Sequence, residues 1–196
     1  GNGAAAARAV TVLEAALTVI TRESAPQDWA GVQVNLGVAL QARAARGDVA
    51  TLSRAAAAYE AGLTVLTPAR DAQNWAGAQT NLGNVLVMLG QHGDENALAR
   101  AIAAFEAALT VRTRARDPQG WADTQNSLGN AYRVQGLDAG GDAALARAVE
   151  AFEAALTVQT RARDPQGWAM AKFNLALAYG TRASRGDRSA RARALS

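Results

Sequence analysis

Four stretches decide the fold: WAGVQVNLGVAL at 29–40, WAGAQTNLGNVL at 75–86, WADTQNSLGNAY at 121–132 and WAMAKFNLALAY at 168–179. Their tryptophans, Trp29, Trp75, Trp121 and Trp168, stand 46, 46 and 47 residues apart. A second phrase alternates with the first: VTVLEAALTV at 10–19, AAAYEAGLTV at 56–65, IAAFEAALTV at 102–111 and VEAFEAALTV at 149–158. Self-similarity at a period in this range marks a repeat architecture, in which each unit buries its apolar face only against its neighbours. Such stacks make surfaces more readily than catalytic pockets.

Within each repeat the apolar residues follow a helical period. Leu98, Ala101, Ile102, Phe105, Ala108 and Leu109 form one stripe, repeated as Leu52, Ala55, Ala56, Tyr59, Gly62 and Leu63 and as Leu145, Ala148, Val149, Phe152, Ala155 and Leu156. The first copy is Ala9, Val10, Leu13, Ala16 and Leu17. The tryptophan phrases supply the other helix of each pair, with Trp75, Leu82, Val85, Leu86 and Leu89 on one face. We term the tryptophan helices type A and the others type B. Asp117-Pro118 and Asp164-Pro165 place a capping acceptor before a proline at the first helical position, and Asp71 holds the same place without the proline. Gly47-Asp48, Gly93-Asp94, Gly141-Asp142 and Gly186-Asp187 read as the end of one helix and the cap of the next. The pattern predicts one array over 1–196 with helices at about 4–23, 26–45, 48–69, 72–91, 94–115, 118–136, 142–163 and 165–185. A fifth B helix is expected to begin at Ala194-Leu195, and both ends read as cuts through a longer array.

Composition narrows the chemistry. The chain has no cysteine and one histidine, His92, so thiol nucleophiles, thiolate metal sites and most triads have no members. No cofactor and no metal are expected. No apolar run approaches the roughly 18 residues of a membrane span, and nothing at the start resembles a signal peptide, so the reading is a cytoplasmic protein. Lys172 is the only lysine, and this arginine-rich usage suggests a GC-rich bacterial genome. The net charge is +3, with arginines interleaved among Asp and Glu except at Arg182, Arg185, Arg188, Arg191 and Arg193. A nucleic-acid binder concentrates its charge, so nucleic acid is disfavoured as a partner.

The third unit carries a family resemblance. LGNAYRVQG at 128–136 and AVEAFEAAL at 148–156, closed by Pro165, resemble the two helices of the tetratricopeptide repeat, TPR. The period departs from the usual 34 residues, which we read as helices lengthened by about a turn or more. Unit four has Leu175-Ala176 where the family has Leu-Gly, and unit one has Leu40 where it has tyrosine. The long units are similar to those of large bacterial proteins that join TPR arrays to caspase-like (CHAT) peptidase or signalling-ATPase modules. The resemblance implies an all-α, right-handed superhelical solenoid of antiparallel helix pairs, acting as a non-enzymatic scaffold that binds a protein or peptide in its concave groove.

By the family's register the inward row is Gly31, Val34, Val38 and Gln41; Gly77, Thr80, Asn84 and Val87; Asp123, Asn126, Asn130 and Arg133; and Met170, Phe173, Leu177 and Thr181. From it we take Asn84, Asn126, Asn130, Arg133, Thr80, Asp123, Gln41 and Phe173 as candidate peptide contacts. Asn35, Asn81 and Asn174 lie beside the row. An amide offers donor and acceptor and can hold an extended peptide backbone, or it can tie adjacent helices together; the residues alone leave both open. The lysines of the chaperone-binding carboxylate clamp are replaced by Val34, Thr80, Asn126 and Phe173, so chaperone C-termini are not expected partners. Trp29, Trp75, Trp121 and Trp168 read as packing between neighbouring helices, and the arginines of 112–116 and 160–163 as cations at the ends of B helices. Two alternatives remain: end-to-end self-assembly through apolar stripes exposed at the terminal helices, and, further behind, RNA or anion binding by arginine.

Overall fold

The computed structural model describes residues 2–44, 48–137 and 140–193, with the side chains of residues 2, 191 and 192 left aside. Gly47 and the Ala194-Leu195 start expected for a fifth B helix lie outside the described residues. Nine helices and no strand occur among those described: α1 (Asn2–Ala16), α2 (Pro26–Arg43), α3 (Val49–Leu63), α4 (Ala72–Gln91), α5 (Ala97–Val111), α6 (Pro118–Gln135), α7 (Asp142–Leu156), α8 (Pro165–Ser184) and α9 (Arg188–Arg193). The chain divides into two compact units, Gly1–Val111 and Arg112–Ser196. Within each unit every helix packs on the next in sequence.

The A–B pair rests on one contact. The glycine of each Leu-Gly lies under an aromatic ring of the following B helix. A Cβ built on Gly37 would stand 2.7 Å from the ring of Tyr59, one on Gly83 2.6 Å from Phe105, and one on Gly129 2.7 Å from Phe152. Only glycine lets the ring settle on the helix backbone there. The three rings are fully buried, with Leu52, Ala55, Ala101, Ala108, Leu145, Ala148 and Ala155 around them. Gly62 sits beside Val34 and Ala30, and Arg43 reaches Thr51. As α2 descends from 43 to 30, α3 ascends from 51 to 62, so the pair is antiparallel.

The B helices are shorter than the spacing predicts. They run 15 residues each; α1, α3 and α7 stop within or before the Leu-Thr-Val phrase, and α5 ends on its last residue, Val111. Thr18, Thr64, Thr110 and Thr157 turn their hydroxyls onto the carbonyls of Ala15, Ala61, Ala107 and Ala154, offering the backbone a local alternative to helix. The residues that follow form a linker closed by a recurring turn, in which Ala25, Asp71, Asp117 and Asp164 donate N–H to the carbonyls of Thr21, Thr67, Thr113 and Thr160. The extra length of the repeat therefore lies in this linker and in A helices of 18–20 residues. The arginines of 112–116 and 160–163 belong to the linkers and not to helix ends.

The junction turns also differ in detail. Gly93 and Gly186 adopt the left-handed conformation (φ 97° and 98°), but between α6 and α7 that role falls to Gly140 (φ 85°), not Gly141. Asp48, Asp94 and Asp187 cap α3, α5 and α9 through backbone N–H groups of Thr51, Ala97 and Ala190. Asp142 is instead the first residue of α7 and pairs with Arg185 at 3.1 Å. Asp142 stands three residues before Leu145, whereas Asp48 and Asp94 stand four before Leu52 and Leu98, and this shift takes it out of the capping position. Contrary to the stripe expected to be open on α1, Val10 is buried and Ala9, Leu13 and Leu17 are partly covered. The exposed valines of this segment are Val12 and Val19. At the other end α9 packs on α8 and buries Ala190.

Two stability measurements follow. Gly129→Ala drives a Cβ into the Phe152 ring, and chemical denaturation should show a loss of about 1–3 kcal/mol. The caps differ among themselves: Asp117 and Asp164 accept from Gly120 and Gly167 N–H at 2.9 Å, whereas Asp71 makes no side-chain cap bond and leaves Oδ2 buried without a partner. Asp117→Ala should therefore cost about 1 kcal/mol, and Asp71→Ala clearly less.

Candidate functional site

The A helices carry the candidate residues, and the two units place them differently. In the first unit the junction between successive repeats is apolar. Ala30 of α2, Leu66 of the linker and Ala78 of α4 form its centre, with Trp29, Val34, Leu63, Val65 and Trp75 packed against them. The row position held by Val34 thus faces the following repeat. Thr80 is buried, and its hydroxyl donates to the Ala76 carbonyl at 2.9 Å. Gln41 accepts the Tyr59 hydroxyl at 3.1 Å. Asn84 is half-buried, and its side chain makes no hydrogen bond with another described residue.

In the second unit the same junction is polar. Asn126 stands where Val34 stands, and Gln159 where Leu66 does. Gln159 is 1% exposed and donates Nε2 to Asp123 Oδ1 at 2.7 Å, leaving its Oε1 buried without a partner. Gln119 donates to Asp123 at 3.1 Å and to Asp164 Oδ2 at 2.8 Å. Burial pushes the Asp123 carboxyl above its ordinary range and the neighbouring Asp164 adds to this, while the two glutamine amides and Arg112 oppose it. Asn174 of α8 donates to Asn126 Oδ1 at 3.3 Å. Asn126 is 8% exposed. Its amide ties α6 to α8, which corrects the expectation that it stays open to a ligand. The physical reason is the register: this position looks along the stack at the next A helix.

Further along α6, Asn130 and Arg133 stay on the surface side. Arg133 Nη2 donates to Asn130 Oδ1 at 2.8 Å, and Nε is buried without a partner. No carboxylate pairs with this guanidinium among the described residues, and desolvation lowers its pKa. Phe173, the remaining candidate, is 63% exposed on α8. Asp123, Asn126, Asn130 and Arg133 therefore share one side of α6, whereas Thr80 and Asn84 share one side of α4.

All four tryptophans are half-buried. Sequence reasoning missed what covers them. Arg22, Arg114 and Arg161 lie over Trp29, Trp121 and Trp168 at 5.9, 6.0 and 5.8 Å from the ring centroids. Each arginine precedes its tryptophan by the same seven residues, a signal visible in the sequence, and Pro68 takes the place before Trp75. A cation over an indole contributes about 0.5–1 kcal/mol at such exposed sites. Arg114 and Arg161, read as helix-end cations, thus have rings beneath them. In the arginine-rich segment after residue 181, Arg182 pairs with Asp187 at 2.7 Å, Arg185 bonds Asp142 and the Leu137 carbonyl, and Arg193 donates to the Tyr179 hydroxyl.

No group of three or more His, Asp or Glu side chains suited to a metal occurs among the described residues. No helix is long and apolar enough to cross a membrane among them. One groove, about 390 Å³, is an open trough lined by Gln125, Leu128, Tyr132, Arg147 and Glu150, with Arg147 over the Tyr132 ring at 5.7 Å. Equivalent troughs recur at Gln33, Leu36 and Arg54 and at Gln79, Leu82 and Arg100, so they are products of the repeat. The sequence matches no protein-family model and no curated protein.

The two asparagine classes are separable by stability. Asn174→Ala leaves the buried Asn126 carbonyl unpaired and should cost about 1–2 kcal/mol. Asn130→Ala should leave the melting temperature nearly unchanged, as read by circular dichroism.

Proposed function

We propose that the protein is a non-enzymatic scaffold of the TPR type, a right-handed superhelical solenoid that binds a peptide or protein segment through the inward side of its A helices. The observation that carries this reading is Arg133. It is a half-desolvated cation whose only side-chain partner among the described residues is a neutral amide, beside an asparagine whose Nδ2 makes no bond within the described residues. A guanidinium held in this way is poised to donate to a carbonyl or carboxylate of a bound chain, and charge-assisted bonds of this kind are about twice as strong as neutral ones. Asn130 Nδ2 adds a second donor. The amide network of Gln119, Asp123, Asn126, Gln159 and Asn174 beneath them holds α6 and α8 in place, as a supporting shell does for a rigid binding site.

The setting supports the reading as well. Of the arginines that were candidates for phosphate or RNA, Arg114 and Arg161 lie over tryptophans, Arg182 pairs with Asp187 and Arg193 donates to Tyr179. Among the described residues no nucleophile, base and orienting group converge. The TPR wording of the third unit, LGNAYRVQG with AVEAFEAAL, spans the helices that carry Arg133. A bacterial, cytoplasmic setting beside an effector module accords with the composition and the resemblance.

A displayed random-peptide library, selected against the purified chain, tests the proposal. Selected peptides should bind the wild type and lose at least tenfold in affinity against Arg133→Gln, with Asn130→Ala weaker in the same direction and both melting temperatures retained. Peptides that bind both variants as tightly as the wild type would remove α6 from the binding surface, and failure to select any binder would remove the peptide function.

A further inference from the structure

The side of α6 that carries the proposed contacts holds charges of opposite sign at its two ends. Asp123 stands near the start of the helix and Arg133 near its end, ten residues apart. At a rise of about 1.5 Å per residue they are about 15 Å from each other. Charges at a surface are screened over about 8 Å in physiological salt, so neither neutralises the other. Asn130 lies between them, one turn before Arg133.

Neither charge is matched from within the chain. Asp123 is exposed, and both of its bonds fall on one oxygen: Oδ1 accepts from Gln119 and Gln159, while Oδ2 accepts nothing among the described residues. Both donors are neutral amides. Of the two charged groups that act on this carboxyl, Asp164 outweighs Arg112, which lies 3.6 Å from Asp117. Arg133 makes one bond, from Nη2 to the Asn130 amide oxygen, and its Nη1 donates to nothing among the described residues. Desolvation raises the Asp123 pKa and lowers that of Arg133. Each charge is thus held against a solvation cost that an opposite charge would offset. The carboxyl is also held in place, since Gln159, 1% exposed, grips Oδ1 at 2.7 Å.

Resting on the scaffold reading of α6, we propose that its ligand is an extended peptide with an acidic and a basic side chain four residues apart, the acidic one on Arg133 and the basic one on Asp123. An extended chain advances about 3.3 Å per residue and alternates its side chains, so residues four apart lie about 13 Å from each other on one face. That span matches the separation of the two charges on α6. Spacings of three or five send the two side chains to opposite faces. Asn130 Nδ2, between the charges, is placed to donate to a backbone carbonyl of the ligand. Ligands of one sign are disfavoured at one end or the other: a run of carboxylates or phosphates meets Asp123 and Asp164, and a run of cations meets Arg133.

The displayed library, followed by double-mutant cycles, tests the assignment. Peptides that lose affinity against Arg133→Gln should share Asp or Glu and Lys or Arg four residues apart. Synthesised and measured by fluorescence anisotropy, such a peptide should lose about tenfold or more on the wild type when its basic residue becomes alanine, and more again when it becomes glutamate. Both of these changes are in the peptide, so they do not depend on the folding of any variant. Asp123→Asn keeps an acceptor for Gln159 and removes the charge; against it, the same alanine change should alter affinity by less than about twofold. The acidic residue should couple in the same way to Arg133→Gln. Binders that need Arg133 but carry no basic residue at that spacing, or whose basic residue responds equally on wild type and Asp123→Asn, would overturn the ligand assignment and leave α6 a binding surface. Binders indifferent to Arg133→Gln, or no binders, would remove both readings.

Discussion

The rest of the structure depends on a missing Cβ. Where α2, α4 and α6 each carry glycine after leucine, the ring of Tyr59, Phe105 or Phe152 lies on the helix backbone at a distance no other residue permits. That contact sets the spacing and the rotation of each A–B pair. Everything apolar on the B helix then falls inward: Leu52, Leu145 and the alanines on either side of the rings have almost no exposure. With the pair fixed, the opposite side of the A helix is committed to facing along the stack, and the candidate functional residues are sorted by that geometry into those that bind the next repeat and those that do not.

The junction between repeats shows one backbone solution filled in two ways. In the first unit Val34, Leu66 and Trp75 make it apolar. In the second, Asn126, Gln159 and Asp123 replace this with hydrogen bonds from side-chain amides. An apolar junction is the more forgiving of the two, because small slips cost only a few contacts. A buried amide network tolerates fewer arrangements, since each unpaired group carries the full cost of its desolvation. The polar junction lies beneath Asn130 and Arg133, where exact placement of donors would matter for holding a ligand. The tryptophans fit the same division, with one part of each indole packed inward and an arginine guanidinium over three of the four outer faces.

The helix pairs were legible because the signal was repeated. The spacing of Trp29, Trp75 and Trp121, the aspartate–proline starts at Asp117 and Asp164, and the stripes through Tyr59, Phe105 and Phe152 each recur, and the recurrence located eight helices. The ends of the B helices were not legible, because Leu-Thr-Val continues the apolar pattern while the threonine hydroxyls divert the backbone. Asp71 resembled Asp117 and Asp164 in sequence, yet it lacks their cap bond. The site was harder to read. Nothing in the sequence distinguishes Asn126, which is buried in a helix–helix bond, from Asn130 one turn later. The difference lies in which side of α6 meets α8, a tertiary fact. The arginines over the tryptophans are readable in principle from their constant seven-residue lead, but a cation near a helix end has a simpler local explanation that hides it.

Native-state hydrogen exchange, resolved by residue, tests the central claim most directly. If the ring-on-glycine seats organise the pairs, the slowest amides within each unit should cluster around Gly83 and Phe105 in the first and Gly129 and Phe152 in the second, with protection falling toward α1, α9 and the linkers. The A and B helices of a pair should open together with one free energy. Amides around the seats that exchange as fast as those of the linkers, or partner helices that open independently of each other, would contradict the account.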